Sequence, residues 1–151
     1  MEIKSMKSEI VKNEVFPIVS NRIKEGKNYL IDKQEFPNAQ GLEGWFLVQI
    51  ITALVNTKHA VKEFRFGKGP DLLLESGIEI ELKGATDFNI KYIKNGVKYG
   101  TLCLFLANGS NKNTIRKMEL DKNVEMIRYE TFSDGRNEWI IGLIRPRNSA
   151  L

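Results

Sequence analysis

The chain has 151 residues, 42% hydrophobic and 28% charged, with 12 glycines and 4 prolines; this fits one domain with one sizeable core and excludes a multidomain, disordered or fibrous protein. The formal charge of +4 at pH 7 hints at an anionic partner, and apolar runs such as Trp45-Phe46-Leu47-Val48 fall far short of the roughly 18–20 residues of a membrane span. One cysteine, Cys103, excludes an intramolecular disulfide, and one histidine, His59, excludes a multi-histidine metal site, so any catalysis must run on carboxylates, lysines and hard metals. The N-terminus lacks the continuous apolar core of a secretory signal, and the expected compartment is the reducing cytoplasm.

Ile3, Met6 and Ile10, then Val15, Ile18, Val19 and Ile23, stand at helical spacing, and Pro17 cannot continue a helix's hydrogen bonding. Two short helices are therefore predicted within residues 1–35, a candidate dimerisation element. Asn38, with Gln40-Gly41 behind it, is placed to cap a helix running to about Asn56. That helix is apolar on nearly all sides, so it must lie between a sheet and another layer, such as a second subunit. Strands are predicted at 60–66, 71–74, 78–83 and 101–107, the last a continuous apolar run suited to a central position. Residues 87–99 read as a short helix or long loop, and 125–132 with 138–144 as a hairpin about Asp134-Gly135. The order is that of a layered α/β or α+β domain. His59 reads as a helix-terminal residue and Cys103 as core.

The most informative stretch runs from Gly69 to Lys83. From Ile78 onward apolar and charged residues alternate, so Ile78, Ile80 and Leu82 face one side and Glu79, Glu81 and Lys83 the other. A surface strand with one wet face has the same pattern, so the turn before it has to decide. A three-residue Glu75-Ser76-Gly77 loop sets Leu74 against Ile78, Leu72 against Ile80 and Asp71 against Glu81, which keeps the apolar pairs on one face; a two-residue loop mixes the faces. Cβ atoms of directly opposed residues are only about 4.5–5.5 Å apart, where like charges repel. A bound cation turns that repulsion into a site. Two carboxylates, backbone carbonyls and waters are the ligands Mg²⁺ prefers, and Lys83 stands on the same face, placed to orient a water or neutralise developing charge.

Pro70-Asp71, nine residues, then Glu81-Leu82-Lys83 resembles the signature of the PD-(D/E)XK nucleases. The context resembles that family too, with an apolar helix before the hairpin and a buried strand after it, over residues 38–107. The resemblance implies a restriction-endonuclease-like core, a mixed central sheet flanked by helices, with an added C-terminal β-hairpin. It implies Asp71, Glu81 and the Leu82 backbone carbonyl as metal ligands, Lys83 as the catalytic lysine, Mg²⁺ as cofactor with Mn²⁺ as a substitute, and products with 5′-phosphate and 3′-hydroxyl ends. Glu43 matches the helical carboxylate that some members add to the metal site, although an acid in a helix's first turn is also stabilised by the macrodipole. Within the family, chain length, motif spacing and the segment from Val48 to Leu54 look most like the small homodimeric type II restriction endonucleases of the CAGCTG-cutting kind. This chain lacks their histidine-rich base-reading segment and has a longer link before Asp71, so no target sequence carries over.

Between residues 88 and 118 there are six cations, Lys91, Lys94, Lys98, Lys112, Arg116 and Lys117, and no acid. Such a run is either a solvated face or a phosphate-binding one. Beside the acidic hairpin, Lys68, Lys91, Lys94 and Lys98 are candidate phosphate contacts. Asn108, Asn111, Lys112 and Asn113, in the polar loop after the fourth strand, are candidate base or backbone contacts, or an ordinary turn. The expected function is Mg²⁺-dependent cleavage of double-stranded DNA by a homodimer. The alternatives are a structure-selective nuclease, such as a junction resolvase or repair nuclease, and a non-catalytic DNA-binding subunit.

Overall fold

Val11, Val15, Phe16, Val19 and Ile23 are all fully buried, and their spacing lays one apolar stripe along a single N-terminal rod. The computed structural model describes residues 2–27, 39–65 and 69–147 of the chain. In it α1 (Glu2–Ile10) runs through a π-helical turn (Val11–Val15) directly into α2 (Phe16–Glu25). The break expected at Pro17 does not occur. Pro17 sits in the first turn of α2, where a missing N–H costs little, and the wider π turn before it lets the Phe16 N–H reach back to the Val11 carbonyl.

The helix α3 (Ala39–Leu54) buries Leu42, Phe46, Ile50 and Leu54, every fourth residue, and packs on α2 and the sheet. Its expected cap, Asn38, lies outside the described residues. Asn56 ends the helical segment with φ 67°, the left-handed conformation that asparagine tolerates well. Coverage is less complete than the composition suggested: Val48 on α3 and Val55, just past its end, are each 55% exposed.

The strands are β1 (Val61–Phe64), β2 (Leu72–Leu74), β3 (Glu79–Ala85), β4 (Leu102–Asn108), β5 (Val124–Ser133) and β6 (Glu138–Pro146), in the sheet order β1-β2-β3-β4-β6-β5. Only the β3–β4 pair is parallel, so the sheet is mixed and the domain α+β. Between β3 and β4 lie α4 (Ile90–Lys94) and a 3₁₀ turn (Asn95–Val97), resolving the choice between helix and loop in favour of a short helix. The helix α5 (Lys112–Glu119) follows β4, where only a polar loop was expected. It buries Ile115 and Met118 and turns Lys112, Arg116 and Lys117 outward.

Alternation along the strands feeds two cores. Leu72, Leu74, Ile80, Leu82, Leu104 and Ile141 face α1, α2 and α3, while Cys103, Phe105, Ile140 and Ile144 meet Ile93, Ile115 and Met118 on the other side. The C-terminal hairpin forms about Asp134-Gly135 as predicted and joins the sheet through β6, leaving β5 at the edge. Among the described residues, no helix is long and apolar enough to cross a membrane.

Candidate active site

The β2–β3 hairpin has the register required by its apolar residues. Leu72 pairs with Ile80, the Leu74 N–H donates to the Ile78 carbonyl at 2.9 Å, and the Gly77 N–H closes the turn on the Leu74 carbonyl at 2.8 Å. Gly77 takes φ 85°, which a side chain would strain. This three-residue loop sets Asp71, one residue ahead of β2, against Glu81 on β3. The Asp71 N–H donates to Glu81 Oε1 at 3.1 Å, and the Leu82 N–H donates to Asp71 Oδ2 at 2.9 Å.

Glu81 is 6% exposed. Burial, then the charge of Asp71, then a hydrogen bond between the two carboxyl groups push its pKa up to about 7, against the opposing pull of the Asp71 N–H and of Lys83. The pair is thus two hard oxygen donors set face to face, a chemistry that would fit Mg²⁺, which keeps much of its water shell. Among the described residues no three acidic, histidine or cysteine side chains gather into a group able to hold a metal ion.

Glu43 approaches from α3. Its Oε2 accepts from the Gly84 N–H at 3.2 Å, and burial raises its pKa, with the charge of Asp71 adding to the rise. The approach depends on Gly84: a Cβ there would lie 2.8 Å from the Glu43 backbone nitrogen and push α3 off the strand. Glycine inside a strand was the available sequence signal for such close packing.

Lys83 shares the Glu81 face of β3 and is half-buried. Its Nζ lies 4.6 Å from the centroid of the Tyr92 ring on α4. Nothing in the spacing of Tyr92 announced this contact, because it depends on how the β3–β4 connection folds back over the sheet.

The candidate DNA contacts are scattered. Lys68 lies outside the described residues. Lys91 and Lys98 are exposed, but Lys94 is held by Asp121 at 2.9 Å. Asn108 ends β4 opposite Trp139. Asn111 is the cap of α5: its Oδ1 accepts from the Asn113 and Thr114 N–H groups at 2.9 and 3.2 Å, so its acceptor is committed to the fold. Lys112 and Asn113 are exposed in the first turn of that helix.

His59, beyond the end of α3, is 4% exposed and ties distant segments together. Nδ1 is 2.8 Å from Ser76 Oγ and Nε2 is 2.9 Å from Glu14 Oε1. The N-terminal rod is thereby fastened to the tip of the hairpin that carries Asp71 and Glu81. Cys103 is buried in β4 opposite Glu81, as core. No protein-family model, curated protein or solved structure matches this chain.

Proposed function

We propose that this chain is a metal-dependent endonuclease of the PD-(D/E)XK type, with a restriction-endonuclease-like core, that hydrolyses double-stranded DNA to 5′-phosphate and 3′-hydroxyl ends and works in the cytoplasm. The observation that carries the reading is the pairing of Asp71 with a buried Glu81 across the hairpin, with Lys83 on the same strand face. Asp71, Glu81 and the Leu82 carbonyl would hold Mg²⁺ or Mn²⁺. When bound, such an ion polarises the phosphodiester and makes its coordinated water more acidic. Lys83 supplies positive charge where the phosphoryl oxygens gain negative charge as water attacks phosphorus and the bond to the 3′ oxygen breaks. Lys91, Lys98 and Lys112, all exposed, are the cations available to hold flanking phosphates. A homodimer supplies the second active site that cutting both strands requires, and the exposed Val48 of α3 with Val55 just past its end offers apolar surface for a second copy.

One observation favours a second reading. Asn111 spends its acceptor on capping α5, which leaves fewer side chains for reading bases, so a structure-selective nuclease such as a junction resolvase or repair enzyme follows from the same site.

The test is incubation with plasmid and with branched DNA, with and without Mg²⁺, beside Lys83→Ala. Discrete plasmid fragments are expected, slowed about 10³-fold in the variant. Cutting confined to branched DNA selects the second reading. Absence of metal-dependent cutting on every substrate leaves a non-catalytic DNA-binding subunit, and a variant as fast as the parent removes Lys83 from the site.

A further inference from the structure

We infer that Tyr92 is a positioning residue for Lys83, its ring face holding the ammonium beside the Asp71–Glu81 pair. The inference rests on the nuclease reading and deepens it, by naming the group that gives the lysine one place to be. A lysine ammonium rides on a flexible four-carbon stem, and a lysine that must meet one phosphate needs its rotamers restricted.

The restriction comes from three sides. The strand partner of Lys83 is Phe105, and that of Glu81 is Cys103, so β4 walls one flank of the stem. Over the stem lies Gly96 of the 3₁₀ turn: a Cβ there would sit 3.2 Å from Lys83 Cγ and collide with the Cys103 sulfur, so the turn already rests on both side chains. At the tip, the Tyr92 ring lies 4.6 Å from Nζ, inside the roughly 6 Å range over which a ring face attracts a cation. Burial raises the pKa of the Tyr92 phenol, and the charges of Glu43, Cys103 and Asp71 add to the rise. Glu43 thus bears on the site from α3 while Tyr92 bears on it from α4. Asn89 secures the helix itself, its Oδ1 accepting from the Tyr92 N–H at 3.1 Å.

The test compares Tyr92→Phe, which keeps a ring face, with Tyr92→Leu, which does not. In protein labelled with ¹³C-lysine, the Lys83 ε-methylene is identified by its disappearance in Lys83→Arg. It should be shifted upfield by ring current in the parent and in Tyr92→Phe, and should return to the ordinary lysine position in Tyr92→Leu. In Mg²⁺-dependent cleavage, kcat should fall about tenfold in Tyr92→Leu with KM unchanged, and less than about twofold in Tyr92→Phe. Circular dichroism checks that Tyr92→Leu folds; if it does not, Tyr92→Met takes its place. An unshifted ε-methylene in the parent, or a parental kcat in Tyr92→Leu, overturns the inference. A Tyr92→Phe variant as slow as Tyr92→Leu overturns it too, because the hydroxyl would then be the group that matters. If the parent cuts no DNA, the nuclease reading falls, and the ε-methylene series alone decides whether the ring holds Lys83.

Discussion

Two hairpins of this molecule, β2–β3 and β5–β6, each bury an acidic side chain, and the two acids are treated in opposite ways. Asp134, 2% exposed at the tip of the β5–β6 hairpin, accepts from the Arg136 and Asn137 N–H groups, each at 2.7 Å, and from the Trp139 indole at 2.8 Å. Burial alone would raise its pKa, but those donors outweigh burial and hold the carboxyl below its ordinary range. Glu81, 6% exposed in the β2–β3 hairpin, receives the Asp71 N–H but also faces the Asp71 carboxyl, and its pKa rises to about 7. Donors from within one loop can satisfy an acid locally. Strand pairing across a hairpin that sets two acids face to face leaves a deficit that a ligand can fill. A buried polar group the fold leaves under-compensated is where function is to be sought.

Removing the satisfied acid should have the largest effect on stability. Asp134→Ala strands two backbone N–H groups and a buried indole N–H, and should cost about 3 kcal/mol in urea unfolding. A loss under about 0.5 kcal/mol, the range of ordinary surface substitutions, would mean that the loop does not depend on its acid.

Removing the frustrated acid should act in the other direction. Because the folded pKa of Glu81 lies above its ordinary 4.5, its contribution is intact below pH 4.5 and is lost as pH rises through about 7. Glu81→Gln should therefore be more stable than the parent at pH 8, by up to about 3 kcal/mol, with the difference shrinking toward pH 4.5. Asp134 has the opposite sign, since its contribution is present above its ordinary 3.8 and is lost as pH falls below that. Parallel unfolding curves for parent and Glu81→Gln from pH 4.5 to 8 would contradict the frustration assigned to Glu81.

The smallest effect is also the most selective. Mg²⁺ or Mn²⁺ at ten times its Kd should stabilise the parent by about 1.4 kcal/mol at pH 8. The increment should be smaller at pH 5.5, where a proton occupies Glu81, and should vanish in Glu81→Gln. Asp134→Ala should keep the same increment from its lower baseline. If the increment survived in Glu81→Gln and disappeared in Asp134→Ala, the roles of the two hairpins would be reversed.

The hairpin register was legible because both of its determinants are local: a period of two in Leu72, Leu74, Ile78 and Ile80, and a loop whose glycine admits a positive φ. Asp71 opposite Glu81 followed from those alone. The helix α5 was missed because its apolar face is only Ile115 and Met118, while Asn111, its cap, belongs equally well to a turn. Continuity through Pro17 was missed because a π turn absorbs what a proline would otherwise break, and periodicity does not register it.

What the sequence determined by itself is the chemistry on offer: a short chain without the cysteines for a disulfide or the histidines for a metal site, with two acids and a lysine brought to one hairpin by alternation and loop length. Tertiary structure decided which of those groups are settled and which are not. Burial beside β4 and the facing Asp71 raise Glu81, Gly84 admits α3 so that Glu43 reaches the same strand, and Tyr92 closes on Lys83 from a connection that folds back over the sheet. Desolvation and long-range packing depend on what covers a residue, and neighbours in sequence do not specify that cover.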